Sequence, residues 1–200
     1  MNIIVFVSGR GSNLQAILNS KELKESVKVI AVISDKIDCQ AFAIAKENSI
    51  KTFSIGDNPG FISYNELIIF LQKFTIDLVV LAGFLKLIPE KFIQYFKGKI
   101  INIHPALLPS FGGKGMFGKY VHKAVFDSSA KISGATVHFV DETFDTGTII
   151  AQQCVDISDC KSPDEIAEKV LEIEHNILPF VLKKFSEGKV RIIGKRVLIN

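Results

Sequence analysis

The sequence predicts an α/β protein built on a mostly parallel sheet. Short apolar runs alternate with amphipathic segments along the 200 residues, and the first run is followed directly by a glycine loop and by helical spacing of apolar residues. Such alternation is typical of parallel strands joined by right-handed crossover helices. The length, with a hydrophobic content of 48%, suits one core. We therefore expect a single domain over 1–200, with halves of about 1–100 and 101–200.

A glycine loop follows the first strand. Gly9 and Gly11 let the backbone approach an anion, and the free N–H groups of a helix start favour negative charge. Leu14 stands where the dinucleotide-binding fingerprint has its third glycine. The loop is therefore either a phosphate cradle or an ordinary capped turn with Ser12 or Asn13 as the N-cap.

Apolar runs and turn signals place the other elements. Strands are expected at 3–7, 27–33, 51–54, 78–82, 134–140 and 148–155, with a closing hairpin at 190–193 and 196–199. Helices are expected at 41–48, 63–74, 90–96, 121–128 and from Pro163 to just before Gly188. Ser162 and Glu165 fit a capping box, and Pro89 and Pro163 fit first helical positions.

Asn102 and His104 end an apolar run that begins at Ile100. Residues two apart on a strand share a face, so both side chains should point the same way, and Pro105 keeps His104 extended. An amide and an imidazole are suitable donors to the oxyanion of an acyl transfer, and Asp145, in a later acidic loop, is suited to move a proton. The alternative is that Asn102 and His104 only satisfy hydrogen bonds at the strand end.

Three further features each admit two interpretations. The apolar loop 84–88 either packs under the sheet edge or forms a hydrophobic slot for a flat ligand. The glycine-rich loop 110–120 is a mobile flap or anion-contacting loop, or else flexible filler. Glu174, on the apolar stripe of the last helix, either lies at the edge of that stripe in water or faces a polar ligand.

Composition and charge argue against several classes of protein. The net charge is +3 and the basic residues are scattered, which disfavours nucleic-acid binding. The three cysteines form no Cys-x-x-Cys pair, and no histidine has a partner at ligand spacing, so neither a disulfide framework nor a metal site is expected. The first apolar run is too short for a signal peptide, and no stretch approaches membrane-spanning length. We expect a soluble, cytoplasmic protein that contacts neither nucleic acid nor membrane.

Several segments together resemble the folate-dependent formyltransferase family over nearly the whole chain. They are the loop 8–14, the run 81–88, the stretch 101–109, the segment 137–140 with Asp145, and Glu174-His175 before Pro179, in the family's order and spacing. The resemblance implies a Rossmann-like formyltransferase fold, with a twisted sheet, helices on both faces and an antiparallel portion in the C-terminal half. It also implies transfer of a formyl group from the co-substrate 10-formyltetrahydrofolate to the primary amine of phosphoribosylglycinamide in purine biosynthesis, without a metal.

The resemblance also implies a role for each site residue. Asn102 would hydrogen-bond the formyl oxygen, protonated His104 would stabilise the same oxyanion or donate to the leaving nitrogen, and Asp145 would orient His104 and accept a proton. Phosphate and ribose contacts are implied for Gly11, Ser12, Asn13 and Glu174. Folate contacts are implied for Leu85, Lys86, Leu87, Ile88, Val140 and Asp141.

The sequence departs from the family pattern in its longer loop 110–120 and in Lys86, where many members have arginine. The length argues against a transfer-RNA formyltransferase, which has a further C-terminal domain, and against a formyltetrahydrofolate hydrolase, which has an extra N-terminal domain. A hydrolase-like enzyme and a non-catalytic nucleotide-binding module are the alternatives. A monomer or homodimer is expected.

Overall fold

The computed structural model describes residues 1–200, which divide into two compact units, Met1–Ile101 and Asn102–Asn200. The boundary falls inside one strand, so that Asn102 is the first residue of unit 2. None of the helices combines the length and the apolar character needed to span a bilayer.

Unit 1 is a parallel sheet in which strands alternate with helices. Its strands are β1 (Asn2–Val7), β2 (Lys28–Ser34), β3 (Lys51–Ser54), β4 (Leu78–Leu81) and the start of β5 (Ile100–His104). Its helices are α1 (Ser12–Asn19), α2 (Ala41–Glu47), α3 (Tyr64–Leu71) and α4 (Glu90–Tyr95). The strand order is β3-β2-β1-β4, and β1 pairs in parallel with both β2 and β4. The glycine loop after β1 therefore opens at the carboxyl edge between two parallel neighbours, where such sheets bind ligands.

The core of unit 1 is centred on β1. Residues 3–7 are fully buried, as expected of a continuous apolar strand covered on both faces. Phe6 makes edge contacts with Phe84 and Phe92, at ring-centroid distances of 5.2 and 5.6 Å. Phe84 belongs to the apolar loop after β4, so this part of the loop packs into the core.

Unit 2 combines the end of β5 with an antiparallel portion and a long helix. Its other elements are α5 (Lys119–Asp127), β6 (Ile132–Phe139), β7 (Ile149–Asp156), α6 (Pro163–Ser186), β8 (Val190–Ile193) and β9 (Arg196–Ile199). β5 lies beside β6, β6 pairs antiparallel with β7, and β8 with β9 forms a separate hairpin. A buried cluster that includes Val121 and Val125 of α5 and Ile166 and Val170 of α6 forms the core below this sheet.

The predicted fold class is confirmed, since the seven-stranded sheet is mostly parallel and its C-terminal portion is antiparallel. Two helix starts differ from the prediction. Pro89 is the N-cap of α4 rather than its first residue. Ser162 caps α6 by accepting from Glu165 N–H, but the Glu165 carboxylate accepts from Lys161 N–H and so does not complete a capping box. Neither detail follows from residue type alone, because each depends on the path of the preceding loop.

A buried hydroxyl holds the chain that leaves β5. Thr136 of β6 is fully buried, and its Oγ1 donates to the Ala106 carbonyl at 2.6 Å and accepts from Leu108 N–H at 3.0 Å. Gln152 of β7 donates to the Leu108 carbonyl at 2.8 Å and to the same hydroxyl at 3.0 Å. Side chains of the next two strands therefore fix the segment that follows His104.

Replacing Thr136 by valine keeps the shape of the side chain and removes these hydrogen bonds. Leu108 N–H and the Ala106 carbonyl then lose a buried partner, so we expect Thr136→Val to lower the free energy of unfolding by about 1–3 kcal/mol. Urea unfolding measures this. Thr75→Val, at an exposed position, is the matched control and should change stability by about 0.5 kcal/mol or less. Equal losses in the two variants would contradict the role of Thr136.

Candidate active site

Asn102 and His104 lie on one face of β5 at its carboxyl end, as the alternation predicts. Asn102 is half-buried, and His104 is 3% exposed. The Nε2 of His104 donates to the carbonyl oxygen of Phe111 at 2.8 Å, because a carbonyl can only accept. Its Nδ1 lies 3.5 Å from Asp145 Oδ2. Both ring nitrogens are therefore engaged within unit 2.

Asp145 stands in the loop between β6 and β7 with a left-handed backbone, φ 58°. Its carboxylate is 10% exposed and accepts from Gly113 N–H at 2.9 Å. Asn102 Nδ2 donates to Oδ1 at 3.5 Å, and His104 faces Oδ2. The structure thus brings together the amide, the imidazole and the carboxylate, although sequence spacing alone placed Asp145 only in a loop after a strand.

His138 is a fourth member of this cluster that the sequence interpretation did not select. It lies on β6 beside β5 and is 2% exposed. Its Nε2 is 3.0 Å from Asn102 Nδ2 and 3.6 Å from Asp145 Oδ1. Alternation places His138 on the same strand face as Thr136, but only the pairing of β5 with β6 shows which residues it meets.

The glycine-rich loop contributes backbone atoms to the cluster. Phe111 supplies the carbonyl that accepts from His104, and Gly113 supplies the N–H that donates to Asp145. A Cβ at Gly112 would collide with Leu108 and come within 3.2 Å of Asp145 Cβ. Residues 111–113 are therefore tied to the candidate catalytic side chains, which the interpretation as flexible filler does not explain.

Burial and the neighbouring charges shift the pKa values of His104 and Asp145. Burial lowers the pKa of His104, and the nearby His138 lowers it further. The Asp145 carboxylate and the Phe111 carbonyl act to raise it, but the net shift of this pKa is downward. Burial raises the pKa of Asp145, but His138, His104 and the Gly113 N–H together hold it below its usual value. Asp145 is therefore a carboxylate at neutral pH, and burial favours the uncharged form of His104.

A cavity of about 330 Å³ opens beside the carboxylate. Its walls are mostly apolar and include Leu108, Phe144 and Ile149, and its polar side chains are those of Asp145 and Thr146. The carboxylate therefore borders a space large enough for small molecules or water.

In unit 1, the predicted phosphate residues lie where β1 meets α1. Gly11 is the N-cap of α1, with φ 82°, so neither Ser12 nor Asn13 caps the helix as the alternative interpretation expected. A Cβ at Gly11 would lie 2.6 Å from Ala41 Cβ, which explains why glycine is needed here. Ser12 begins α1 and Asn13 is buried within it.

The apolar loop after β4 is only partly explained by packing. Ile88 is 3% exposed, but Leu85 and Leu87 are 40% and 50% exposed, and Lys86 is exposed as well. Leu85 N–H donates to Ser8 Oγ at 3.0 Å, which ties this loop to the glycine loop. The exposed leucines keep open the interpretation as a hydrophobic slot.

Three predicted contact residues lie in unit 2. Glu174 is 9% exposed on α6, so the expectation that it lies in water at the edge of the stripe is wrong. Val140 and Asp141 follow β6 and are half-buried. Asp141 Oδ1 accepts from Thr143 N–H at 3.1 Å, which shapes the acidic loop. The structure places no group of three or more histidine, cysteine, aspartate or glutamate side chains where they could hold a metal ion.

The sequence model of the formyl transferase family matches residues 1–182 of this chain. A chloroplastic phosphoribosylglycinamide formyltransferase of Arabidopsis thaliana is 40% identical over 194 residues, covering 94% of this chain and 66% of the relative. The phosphoribosylglycinamide formyltransferase of Escherichia coli is 34% identical over 196 residues, covering 96% of this chain and 90% of the relative. The crystal structure of a phosphoribosylglycinamide formyltransferase from Anaplasma phagocytophilum has a TM-score of 0.90 at 33% identity, covering 100% of this chain and 93% of that one.

The chain is shorter than the plant relatives it matches. It spans 66% of the Arabidopsis thaliana protein and 62% of the corresponding protein of Vigna unguiculata.

His122 of α5 allows a test of how burial acts on the histidines of unit 2. It is 7% exposed, its Nδ1 has no hydrogen-bond partner, and burial, with His104 as the second cause, lowers its pKa to about 4. The unfolded imidazole takes up a proton near pH 6.5. Between these values the unfolded chain binds more protons, so stability falls as the pH is lowered.

We expect acidification from pH 7 to 5 to cost about 2 kcal/mol through His122, and His122→Gln to remove this part of the pH dependence. Urea unfolding at both pH values measures it. Lys123→Gln, on the same helix but exposed, should retain the wild-type dependence. Parallel stability curves for wild type and His122→Gln would show that His122 is not kept uncharged by burial.

Proposed function

Because the chain belongs to the formyl transferase family, we propose that it transfers the formyl group of 10-formyltetrahydrofolate to the amine of phosphoribosylglycinamide. The observation that carries the proposal is the convergence of Asn102, His104 and Asp145 in unit 2. An amide, an imidazole and a carboxylate within hydrogen-bonding reach are the groups that amine attack on a formyl carbon requires.

In the proposed reaction the substrate amine attacks the formyl carbon, a new C–N bond forms, and the bond from that carbon to the folate nitrogen breaks. Asn102 and His104 donate to the oxyanion that develops on the formyl oxygen. Asp145 accepts the proton of the amine through a water molecule, and His104 supplies a proton to the leaving nitrogen. No metal takes part in these steps.

The positions of the hydrogen bonds add one requirement to this scheme. His104 Nε2–H is engaged by the Phe111 carbonyl, and Nδ1 faces Asp145. To donate to a substrate atom, one of these nitrogens must exchange its present acceptor for the substrate. The backbone of the loop that carries Phe111 is therefore expected to respond to substrate binding.

We assign the substrate phosphate to Gly11, Ser12 and Asn13, and a ribose contact to Glu174. The left-handed Gly11 and the start of α1 support the phosphate assignment, because the first N–H groups of a helix are free to bind an anion. A carboxylate that is largely buried, as that of Glu174 is, is suited to accept from a sugar hydroxyl.

We propose folate contacts for Leu85, Lys86, Leu87 and Ile88 in unit 1, and separately for Val140 and Asp141 in unit 2. The exposed Leu85 and Leu87 support this assignment, since a flat heterocycle gains from apolar side chains left open to solvent.

Further parts of the proposal concern the whole chain. We propose a single functional domain, acting as a monomer or homodimer in the cytoplasm, where its three free cysteines stay reduced. Light scattering tests the assembly state. The competing functions are hydrolysis of the same folate and nucleotide binding without turnover.

The test is a reaction of the purified protein with both substrates. We expect release of tetrahydrofolate that depends on the ribonucleotide. Release without the ribonucleotide would favour the hydrolase, and no release would overturn the proposed transfer.

For Asp145 we expect that replacement by asparagine lowers kcat by about 10²- to 10⁴-fold, because the proton acceptor is lost. Asparagine also tolerates the left-handed backbone at this position, so binding of the ribonucleotide, measured by calorimetry, should persist. The control is Asp127→Asn, at an exposed ion pair with Lys123, which should leave kcat unchanged. An active Asp145→Asn enzyme would remove Asp145 from the mechanism.

For the phosphate loop we expect Gly11→Val to raise the Kd of the phosphorylated substrate by about tenfold or more, since the side chain meets Ala41 and the backbone is left-handed. Gly98→Val is the matched control outside this loop, because its backbone is also left-handed, φ 72°, and a Cβ there has no atom within 4 Å. Calorimetry with the ribonucleotide compares the two. If both variants bind equally well, the loop is only a structural turn.

A further inference from the structure

The proton position on His138 is set by its own backbone. Its Nδ1 lies 2.8 Å from the carbonyl oxygen of Phe139. Since a carbonyl only accepts, Nδ1 carries a hydrogen and donates it. In the uncharged ring Nε2 is then an acceptor, and it becomes a donor only when the ring is a cation.

The Nε2 atom of His138 faces the amide of Asn102. Asn102 Nδ2 lies 3.0 Å from this atom and 3.5 Å from Asp145 Oδ1. With His138 uncharged, the N–H groups of the amide are directed at these two acceptors, and the amide oxygen is the end that remains for a substrate. In this orientation Asn102 accepts hydrogen bonds but donates none to a developing oxyanion.

A proton on Nε2 of His138 reverses the direction of the hydrogen bond between His138 and Asn102. The cation presents an N–H to Asn102, which favours a half-turn of the amide so that Oδ1 accepts from His138 and the N–H groups face the opposite way. Asp145, whose Oδ1 is 3.6 Å from Nε2, offsets the positive charge. The other titratable group at this carboxylate is His104, whose Nδ1 is 3.5 Å from Oδ2.

We propose that His138 is a positioning residue for Asn102. The protonation of its ring decides which end of the Asn102 amide faces the reacting atoms, and the cation is the form in which Asn102 donates to the oxyanion. The inference rests on the proposed formyl transfer, which creates that oxyanion. His138 itself touches neither substrate in this scheme.

Two substitutions separate this role from simple packing. His138→Gln places an amide near the position of Nε2, where its N–H can donate to Asn102. His138→Asn places the amide near Nδ1, where it keeps a partner in the Phe139 carbonyl and loses Asn102. The two variants therefore differ in whether the side chain at position 138 contacts Asn102.

We expect His138→Asn to lower kcat by about 10- to 100-fold, less than the ~10²- to 10³-fold loss on removing an oxyanion donor outright, with little change in KM. His138→Gln should regain most of this activity. The control is His122→Gln, which replaces another buried histidine of unit 2 and should keep the wild-type kcat.

Nitrogen NMR of the histidine rings gives a readout that needs no turnover. His138 should be the Nδ1–H tautomer in the free protein and should become doubly protonated when the ribonucleotide and a folate analogue are both bound. An Nε2–H tautomer, or equal impairment of His138→Gln and His138→Asn, would overturn the inference. If the wild type transfers no formyl group, the proposed function fails and the inference fails with it, whereas an active wild type that gives either of these results overturns the inference alone.

Discussion

The arrangement of the unit 2 site depends on the carboxylate of Asp145. It receives Gly113 N–H from the glycine-rich loop, faces His104 and Asn102 of β5, and lies 3.6 Å from His138 of β6. Without it, these polar groups would face one another in a largely buried space, which is costly unless each finds a partner. The backbone of Asp145 is left-handed, φ 58°, a conformation that aspartate and asparagine adopt more readily than most other residues.

This convergence couples the charges of three side chains. His104 and His138 share one carboxylate, and burial, with His138 as a further cause, lowers the pKa of His104. Groups this close titrate as a set rather than one by one. A pH profile of the enzyme therefore reports the cluster, and only variants that remove one member without moving the others can assign a change to a residue.

The sequence predicts the parts of this site that local rules determine. Alternation along β5 puts Asn102 and His104 on one face, and the apolar runs predict the alternating strands and helices that carry them. The Asp145 contact joins residues 43 positions apart in the case of Asn102, so no local pattern contains it; the acidic loop made Asp145 a candidate, and only the family resemblance implied that it meets His104. His138 was not selected for the same reason. Its place in the alternation of β6 can be read from the sequence, but the fact that β5 lies beside it cannot.

Composition alone does not decide whether the glycine-rich loop 110–120 is mobile or ordered. Four glycines suggest flexibility, yet Phe111 and Gly113 use backbone atoms to hold His104 and Asp145. A Cβ at Gly112 would collide with the side chain of Leu108, which is 5% exposed, and would come within 3.2 Å of Asp145 Cβ, so the backbone here passes through a confined space. The hydrogen bonds that join this loop to His104 and Asp145 therefore use backbone atoms of Phe111 and Gly113 rather than loop side chains.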